Sequence, residues 1–201
     1  MKIKRKYSHF KTLGDINIED IPEKKGIYIY KIKKNVDMNG FENNKFKYNR
    51  RIIYVGKVKI DGEADLRSRL GNHLKNYSSN SSFRRSIGAI FKKSWNLEAF
   101  PSGKSSNKYN FVKISKNKEN VIVNRNNENE LKITNWMKKN LEYRFIVDYS
   151  DKLEDIYIEK LKPTCNDSKK FNPLRSRLFG RNNKIPSLRR TCAIEAKAKI
   201  N

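Results

Sequence analysis

The sequence of 201 residues predicts an α/β fold, in which a small antiparallel β-sheet of about three core strands is flanked by helices. Two runs rich in β-branched and aromatic residues, 26–32 and 51–58, alternate apolar and polar side chains as strands do. A third strand is predicted over 142–149, and amphipathic helical patterns lie between and after these runs. The remaining segments are polar and rich in asparagine, which predicts loop and hairpin insertions.

The first two strands are expected to pair antiparallel, with the polar segment between them forming a long hairpin excursion over the surface. After the second strand, Asp65 is suited to cap a helix, because its carboxylate can accept a hydrogen bond from the first helical turn. The apolar face of that helix is predicted to carry Leu66, Leu70, Leu74 and Tyr77.

A second helix is predicted over residues 83–93. Its inward-facing residues are expected to be Phe83, Ile87, Ile90 and Phe91. Residues 97–129 are predicted to be mostly loop, with a small hairpin around 117–120.

The later elements are a helix over 130–140, the strand over 142–149 and a helix over 151–162 that Pro163 ends. A short helix over 187–199 is expected to dock against the body of the protein through Leu188, Cys192 and Ile194.

The composition favours a polyanionic partner. Lysine and arginine number 46 against 21 aspartate and glutamate, so the formal net charge is +25. Such a charge on a folded protein favours nucleic acid as the partner. Hydrophobic residues make up 36% of the chain and the mean hydropathy is −0.89, which predicts one domain with a modest core.

Several classes of protein are disfavoured. No apolar run approaches the roughly 20 residues that a membrane span needs, and the basic start lacks the apolar region of a secretory signal. We therefore expect a cytoplasmic protein without membrane contact. Cys165 and Cys192 are far apart and lack paired Cys or His spacing, which disfavours a zinc site and a disulfide scaffold.

Tyr28 and Tyr54 are the first candidates for catalytic chemistry. Each follows the strand alternation beside a glycine, Gly26 or Gly56, so both hydroxyls can leave the same face of the sheet. Hydrolysis of a phosphodiester needs a base for water, cations for the transition state, and a metal or an acid for the leaving oxygen. The simpler interpretation is that both tyrosines only pack within the sheet.

Arg69 and His73 stand four apart on the first helix and therefore face the same way. The guanidinium of Arg69 can bind a phosphate oxygen through two donors, which an ammonium does less well. Lys57 can lower the pKa of a tyrosine or hold a phosphate. The alternative for all three is a solvated face of a very basic protein.

Glu154 has two interpretations. Asp151 and Glu154 are spaced like a capping box at the start of a helix. In a basic cleft, however, a carboxylate is the group that recruits magnesium.

The ordered set GIYIY, YVGK, DLRSRLGNHL and LEDIYIEKLKPTCN, over residues 25–166, resembles the GIY-YIG nuclease family, in particular its small stand-alone bacterial members. The resemblance implies that Tyr28 and Tyr54 are the paired tyrosines, Arg69 the catalytic arginine and His73 its neighbour one turn later. Glu154 would be the only metal ligand from the motif, which implies one Mg²⁺ or Mn²⁺ ion. The supporting residues would be Gly26, Gly56, Lys57 and Asn166.

The resulting prediction is a metal-dependent DNA endonuclease, acting as a monomer or as a homodimer formed on DNA. Its predicted parts are an N-terminal extension (1–24), the nuclease domain (25–166) and a basic C-terminal tail with a short helix (167–201). The arginines expected to contact nucleic acid are Arg84, Arg85, Arg175, Arg177, Arg181, Arg189 and Arg190.

Two alternatives belong to other classes of protein. A non-catalytic nucleic-acid-binding module would keep the fold and charge, but it gains nothing from a carboxylate opposing phosphate. An RNA-binding protein of translation would explain the charge and leave the ordered motifs as coincidence.

Overall fold

The computed structural model of the chain describes residues 6–34, 36, 51–58, 61–75, 77–103, 108–112, 115–117, 120–122, 128–148, 150, 152–166 and 184–200. In chain order, the strands are β1 (Lys6–Tyr7), β2 (Lys11–Thr12), β3 (Gly26–Ile32), β4 (Ile52–Lys57), β5 (Phe100–Pro101), β6 (Tyr109–Asn110), β7 (Ser115–Asn117), β8 (Asn120–Ile122) and β9 (Leu141–Val147). The helices are α1 (Leu66–Leu74), α2 (Ser82–Phe91), α3 (Glu128–Asn140), α4 (Leu153–Leu161) and α5 (Lys184–Lys197).

The main sheet has five antiparallel strands with β3 and β9 at its centre. Strand β3 pairs with β4 on one side and with β9 on the other, and both β1 and β2 pair with β9. The predicted α/β class and the antiparallel pairing of the first two strands are therefore confirmed. Strands β1 and β2 form within the segment that we expected to be an N-terminal extension.

Helices cover both faces of the sheet. Alternate residues of β3 point to opposite faces, so Ile27 and Ile29 pack with Leu153 and Ile158 of α4. Tyr28 and Tyr30 enter the larger core on the other face, where helices α1, α2, α3 and α5 also contribute buried side chains. This double cover explains why β3 is buried along nearly its whole length.

Most predicted helical features are confirmed. The side chain of Asp65 accepts a hydrogen bond of 2.7 Å from the backbone N–H of Ser68 and caps α1. The four residues predicted to face inward on α2 are buried. The predicted small hairpin is formed by β7 and β8, in which Asn117 pairs with Asn120.

The predicted docking face of the last helix needs one correction. Cys192 is buried and Leu188 packs against the core, but Ile194 is 59% exposed. Residues two apart on a helix lie about 200° apart around its axis, so Ile194 cannot share the face of Cys192. Ala196, one turn after Cys192, is buried instead. None of the helices in the described part of the chain is long and apolar enough to cross a membrane.

Candidate active site

The phenol of Tyr28 lies across the backbone of the neighbouring strand. Tyr28 pairs with Gly56 in the register of β3 and β4, and a Cβ atom at residue 56 would collide with the ring and hydroxyl of Tyr28. Glycine at this position therefore gives the tyrosine its room. A Cβ at Gly26 would likewise collide with the backbone carbonyl of Ile146, so both glycines of the motif permit close approach.

Tyr54 lies beside Tyr28 on the same face of the sheet, with 6.1 Å between the ring centroids. Both rings belong to a buried aromatic cluster in which Phe83 stacks on Tyr30 at 4.8 Å. The hydroxyl of Tyr54 lies 3.1 Å from Oγ of Ser82, the first residue of α2. The two tyrosines thus pack through their rings and keep polar partners at their hydroxyls.

His73 lies behind Tyr28, fully buried, with Nε2 2.8 Å from the Tyr28 hydroxyl. Its other ring nitrogen, Nδ1, lies 2.8 Å from Oγ of Ser81, which also accepts a hydrogen bond from the backbone N–H of Arg84. Burial, reinforced by the positive charges of Arg69 and Arg84, holds the pKa of His73 well below its ordinary value of 6.5. The imidazole is therefore neutral near pH 7.

Arg69 lies one turn before His73 on α1 and is half-buried. Its guanidinium lies close enough to the Tyr28 hydroxyl for its charge to lower the pKa of that phenol, and its buried Nε has no hydrogen-bond partner among the described residues. Burial raises the pKa of Tyr28 well above its ordinary value, the nearby hydroxyl of Tyr54 raises it further, and the charge of Arg69 opposes both.

Glu154 stands near the start of α4, with its carboxylate 3.8 Å from Nζ of Lys57, the last residue of β4. Burial raises the pKa of Glu154, and the charge of Lys57 opposes this shift. The capping interpretation of Glu154 is not supported, because Lys152 occupies the N-cap and makes no side-chain cap hydrogen bond. The predicted cap residue, Asp151, lies outside the described residues.

Asn166 is hydrogen-bonded to strand β4 from just beyond α4. Its Oδ1 accepts a 2.9 Å hydrogen bond from the backbone N–H of Val55, and its Nδ2 donates a 2.7 Å hydrogen bond to the Val55 carbonyl. The backbone N–H of Cys165 also donates to the carbonyl of Ile53 at 2.7 Å. The segment after α4 is thereby hydrogen-bonded to β4 on both sides of Tyr54.

The prediction that Arg84 contacts nucleic acid is wrong. Its side chain is fully buried and forms an ion pair of 2.7 Å with the equally buried Glu130 of α3. The guanidinium also donates to the backbone carbonyl of His73 at 3.2 Å and to Oγ1 of Thr134 at 2.8 Å. A buried cation needs such compensation, so Arg84 serves the interior and cannot reach a phosphate.

Glu130 is a supporting residue that sequence analysis missed. Its carboxylate accepts hydrogen bonds from the backbone N–H groups of Ser78 and Phe111 and from the hydroxyl of Ser78. These bonds hold the turn between α1 and α2, which carries the histidine partner Ser81. The only signal in the sequence is an acidic residue at the start of a helix, which by itself indicates a favourable interaction with the helix dipole.

The other predicted nucleic-acid contacts differ in position. Arg85 is partly buried and its guanidinium donates to the backbone carbonyls of Ser78 and Ser79. On α5, Arg190 is exposed and Arg189 is half-exposed. Arg175, Arg177 and Arg181 lie outside the described residues.

Most of the predicted catalytic residues line one open cavity of about 390 Å³. It opens past the end of β4, where Glu154 of the helix on one face of the sheet meets residues from the other face. His73 does not line it and reaches it only through Tyr28. The loop at residues 62–64 forms a further wall. The predicted site residues that line the cavity are Tyr28, Tyr54, Lys57, Arg69 and Glu154.

A comparison with family models matches residues 24–189 to the GIY-YIG catalytic domain. The match covers most of the chain, which therefore belongs to the GIY-YIG family, as the resemblance of its motifs predicts. Searches of the curated proteins and of the solved structures gave no match. Family membership indicates nuclease-type activity.

Proposed function

We propose that this protein is a metal-dependent DNA endonuclease that hydrolyses phosphodiester bonds in the cavity beside Tyr28. The observation that carries the proposal is the convergence of a phenol, a guanidinium and a carboxylate on one cavity. These groups belong to Tyr28, Arg69 and Glu154, which lie on β3, α1 and α4 and are far apart in sequence. Such convergence is what a reaction at a single phosphate requires.

Glu154 is the residue that would hold a divalent cation. Its half-buried carboxylate faces the cavity, and Nζ of its cationic neighbour Lys57 lies 3.8 Å from it. The described residues contain no group of three or more His, Cys, Asp or Glu that could enclose a metal ion. A lone carboxylate suits Mg²⁺ or Mn²⁺, because such ions take their other ligands from water and substrate phosphate. One bound ion would neutralise the charge that develops on the departing 3′ oxygen.

Tyr28 is the first candidate for general base and Tyr54 the second. Because burial raises the pKa of Tyr28, a free phenolate is unfavourable near pH 7. The neutral imidazole of His73 offers a route, since Nε2 can take the phenolic proton as the phenol takes a proton from water, and the low pKa of His73 makes this protonation transient. In this arrangement Nδ1–H of His73 donates to Oγ of Ser81.

In the reaction, the water oxygen forms a bond to phosphorus and its proton passes to Tyr28, whose own proton passes to His73. The bond from phosphorus to the 3′ oxygen breaks, and that oxygen takes a proton from solvent. His73 then returns its proton to Tyr28 as the phenol releases one to solvent, which restores both groups to their neutral forms. Arg69, which lines the cavity, stabilises the charge on the non-bridging oxygens through the donors of its guanidinium.

DNA is the proposed substrate, because the net charge of +25 favours a nucleic acid and the GIY-YIG catalytic domain indicates nuclease-type activity. Arg85, Arg189 and Arg190 are proposed as phosphate contacts around the cavity, with the arginines of residues 167–183 as further candidates. The charge of Arg189 is close enough to lower the pKa of Arg85, after burial as the larger cause, so these two cations form one electropositive region. We further propose that the enzyme acts in the cytoplasm as a monomer or as a homodimer on DNA.

The test is incubation of the purified full-length protein with supercoiled plasmid and Mg²⁺. Nicked or linear product should appear with Mg²⁺, disappear with EDTA and return when Mn²⁺ is added. The Glu154→Gln protein should bind the same plasmid without cutting it. If the unaltered protein binds DNA and cuts neither DNA nor RNA with either ion, the non-catalytic binding module replaces the nuclease.

A further inference from the structure

A second cavity, of about 430 Å³, lies at the C-terminal end of α2. The first cavity, which Tyr28 and Glu154 line, lies towards the other end of this helix. Ser82 at the start of α2 contacts the catalytic Tyr54, whereas Phe91 at its end lines this second cavity. At 1.5 Å per residue, the two ends of α2 are about 14 Å apart along the helix axis. The remaining residues that line the cavity are Val36, Trp95, Asn135, Trp136, Lys139 and Asn140.

Aromatic rings form much of this cavity. Trp95 stacks on Phe91 with 4.2 Å between ring centroids and an interplanar angle of 5°. Trp136 packs against Phe91 at 4.9 Å and 55°. Phe91 is buried, but both indoles are only partly buried, so each keeps accessible surface beside the cavity. Aromatic rings of this kind stack with any nucleobase.

Lys139 lines the cavity, and the segments that form the cavity are basic. Three segments meet there, and each carries a pair of lysines, Lys33–Lys34, Lys92–Lys93 and Lys138–Lys139. Segments 33–36, 91–95 and 135–140 contain no acidic residue. Lys92 is neutralised by Glu195 at 3.0 Å. Lysines at the C-terminus of a helix also interact favourably with the helix dipole, which accounts for Lys138–Lys139 on α3 and for Lys92–Lys93 at the end of α2, but not for Lys33–Lys34.

We propose that this cavity is a second nucleic-acid site, which takes an unpaired nucleobase on its indoles and the adjoining phosphates on its lysines. This inference rests on the proposed function, because the partner chosen for the second cavity is the substrate of the proposed endonuclease. A cavity with aromatic walls and a cationic rim is the arrangement that binds single strands without sequence preference. The preferred substrate would then carry unpaired bases near the cut.

Intrinsic fluorescence tests the proposal directly, because both tryptophans of the protein line this cavity. The full-length Glu154→Gln protein, which should not cut, is titrated with a short oligothymidylate and with an abasic oligonucleotide of equal length. Both should bind through phosphate, as measured by anisotropy, but only oligothymidylate should quench the tryptophans. Equal quenching by the two, or binding of oligothymidylate without quenching, would overturn the proposal.

Two further variants locate the effect. Trp95→Phe and Trp136→Phe each leave one indole as the reporter, and we expect oligothymidylate to quench at least one of these proteins as it quenches the parent. Trp136→Ala should weaken oligothymidylate binding by about 5- to 150-fold, the range for loss of one stacked base, and leave binding of the abasic strand nearly unchanged. Equal weakening for both strands would show that this change only damages the fold and would contradict a stacking role for Trp136.

Failure of this proposal is distinguishable from failure of the proposed function. Selective quenching by oligothymidylate supports the second site whether or not the unaltered protein cuts plasmid. Plasmid cleavage without such quenching would support the proposed nuclease activity and contradict the second nucleic-acid site.

Discussion

The ring of Tyr28 occupies the space in which a Cβ atom of residue 56 would stand. Gly56→Ala should therefore displace the tyrosine or part β3 from β4, at a cost of about 1–3 kcal/mol in the free energy of unfolding. We also expect loss of most cleavage activity, because the phenol leaves His73 and the cavity. Denaturant unfolding and plasmid cleavage measure the two effects.

Gly71→Ala is the matched control for that change. Gly71 lies within α1, and a Cβ atom there meets nothing within 4 Å. Alanine is the better helix former, so this variant should gain about 0.5–1 kcal/mol in stability and keep its activity. A Gly56→Ala protein as stable and active as the Gly71→Ala protein would contradict the proposed role of the tyrosine.

Arg69→Ala should lower the single-turnover cleavage rate at saturating DNA by about 100-fold or more, because it removes a principal stabiliser of the transition state. Arg69→Lys should recover only part of this rate, since an ammonium lacks the paired donors of a guanidinium. Arg67→Ala is the control on the same helix, where the arginine pairs with Glu19 and Glu23 outside the cavity. An unchanged single-turnover rate in Arg69→Ala, with weaker binding only, would show that Arg69 is a binding residue.

Glu154→Gln should abolish cleavage and leave DNA affinity nearly unchanged, because the amide keeps the size of the side chain and loses the charge that attracts a cation. Glu159→Gln, at an exposed position of the same helix, serves as the comparison and should cut DNA normally. Calorimetric titration with Mn²⁺ gives a readout independent of cleavage, in which only Glu154→Gln should lose binding. Full activity of Glu154→Gln would leave its carboxylate without a catalytic role.

The depressed pKa of His73 predicts acid sensitivity of the fold. Below pH 6.5 the unfolded chain binds a proton on this imidazole, whereas the imidazole of the native state stays neutral. The free energy of unfolding therefore falls as the pH falls towards the native pKa. The slope from this one group is about 1.4 kcal/mol per pH unit. Urea unfolding at several pH values should show the slope reduced in His73→Gln and retained in His9→Gln, where the exposed histidine is removed. Identical slopes in both variants would mean that His73 titrates normally.

The strands that carry the tyrosines could be predicted because their signals are local. Alternation and β-branched residues mark 26–32 and 51–58, and the order of the motifs supplies Arg69 and Glu154. The central place of β9 could not be predicted, because it depends on pairing with β3 across more than a hundred residues. Strands β1 and β2 are too short, at two residues each, to show alternation.

Charge misled sequence analysis at Arg84 because Glu130, its partner in the ion pair, lies 46 residues away. In a chain with 46 basic residues, a basic dipeptide indicates a nucleic-acid contact. Only tertiary structure reveals that one member of Arg84–Arg85 points into the interior while the other holds a turn. The burial of His73 behind Tyr28 could not be predicted either, since its spacing from Arg69 predicts only a shared helical face.

The two hydrogen bonds between Asn166 and Val55 have a consequence for how substrate is chosen. They join the segment that follows α4 to strand β4, which carries Tyr54. The proposed metal ligand Glu154 and the tyrosine therefore keep their spacing before any nucleic acid binds. Catalytic groups preorganised in this way need no assembly by the correct target. Discrimination among phosphates must then arise while a nucleic acid enters the cavity. Loss of the hydrogen bonds between Asn166 and Val55 would slow the chemical step equally for every substrate.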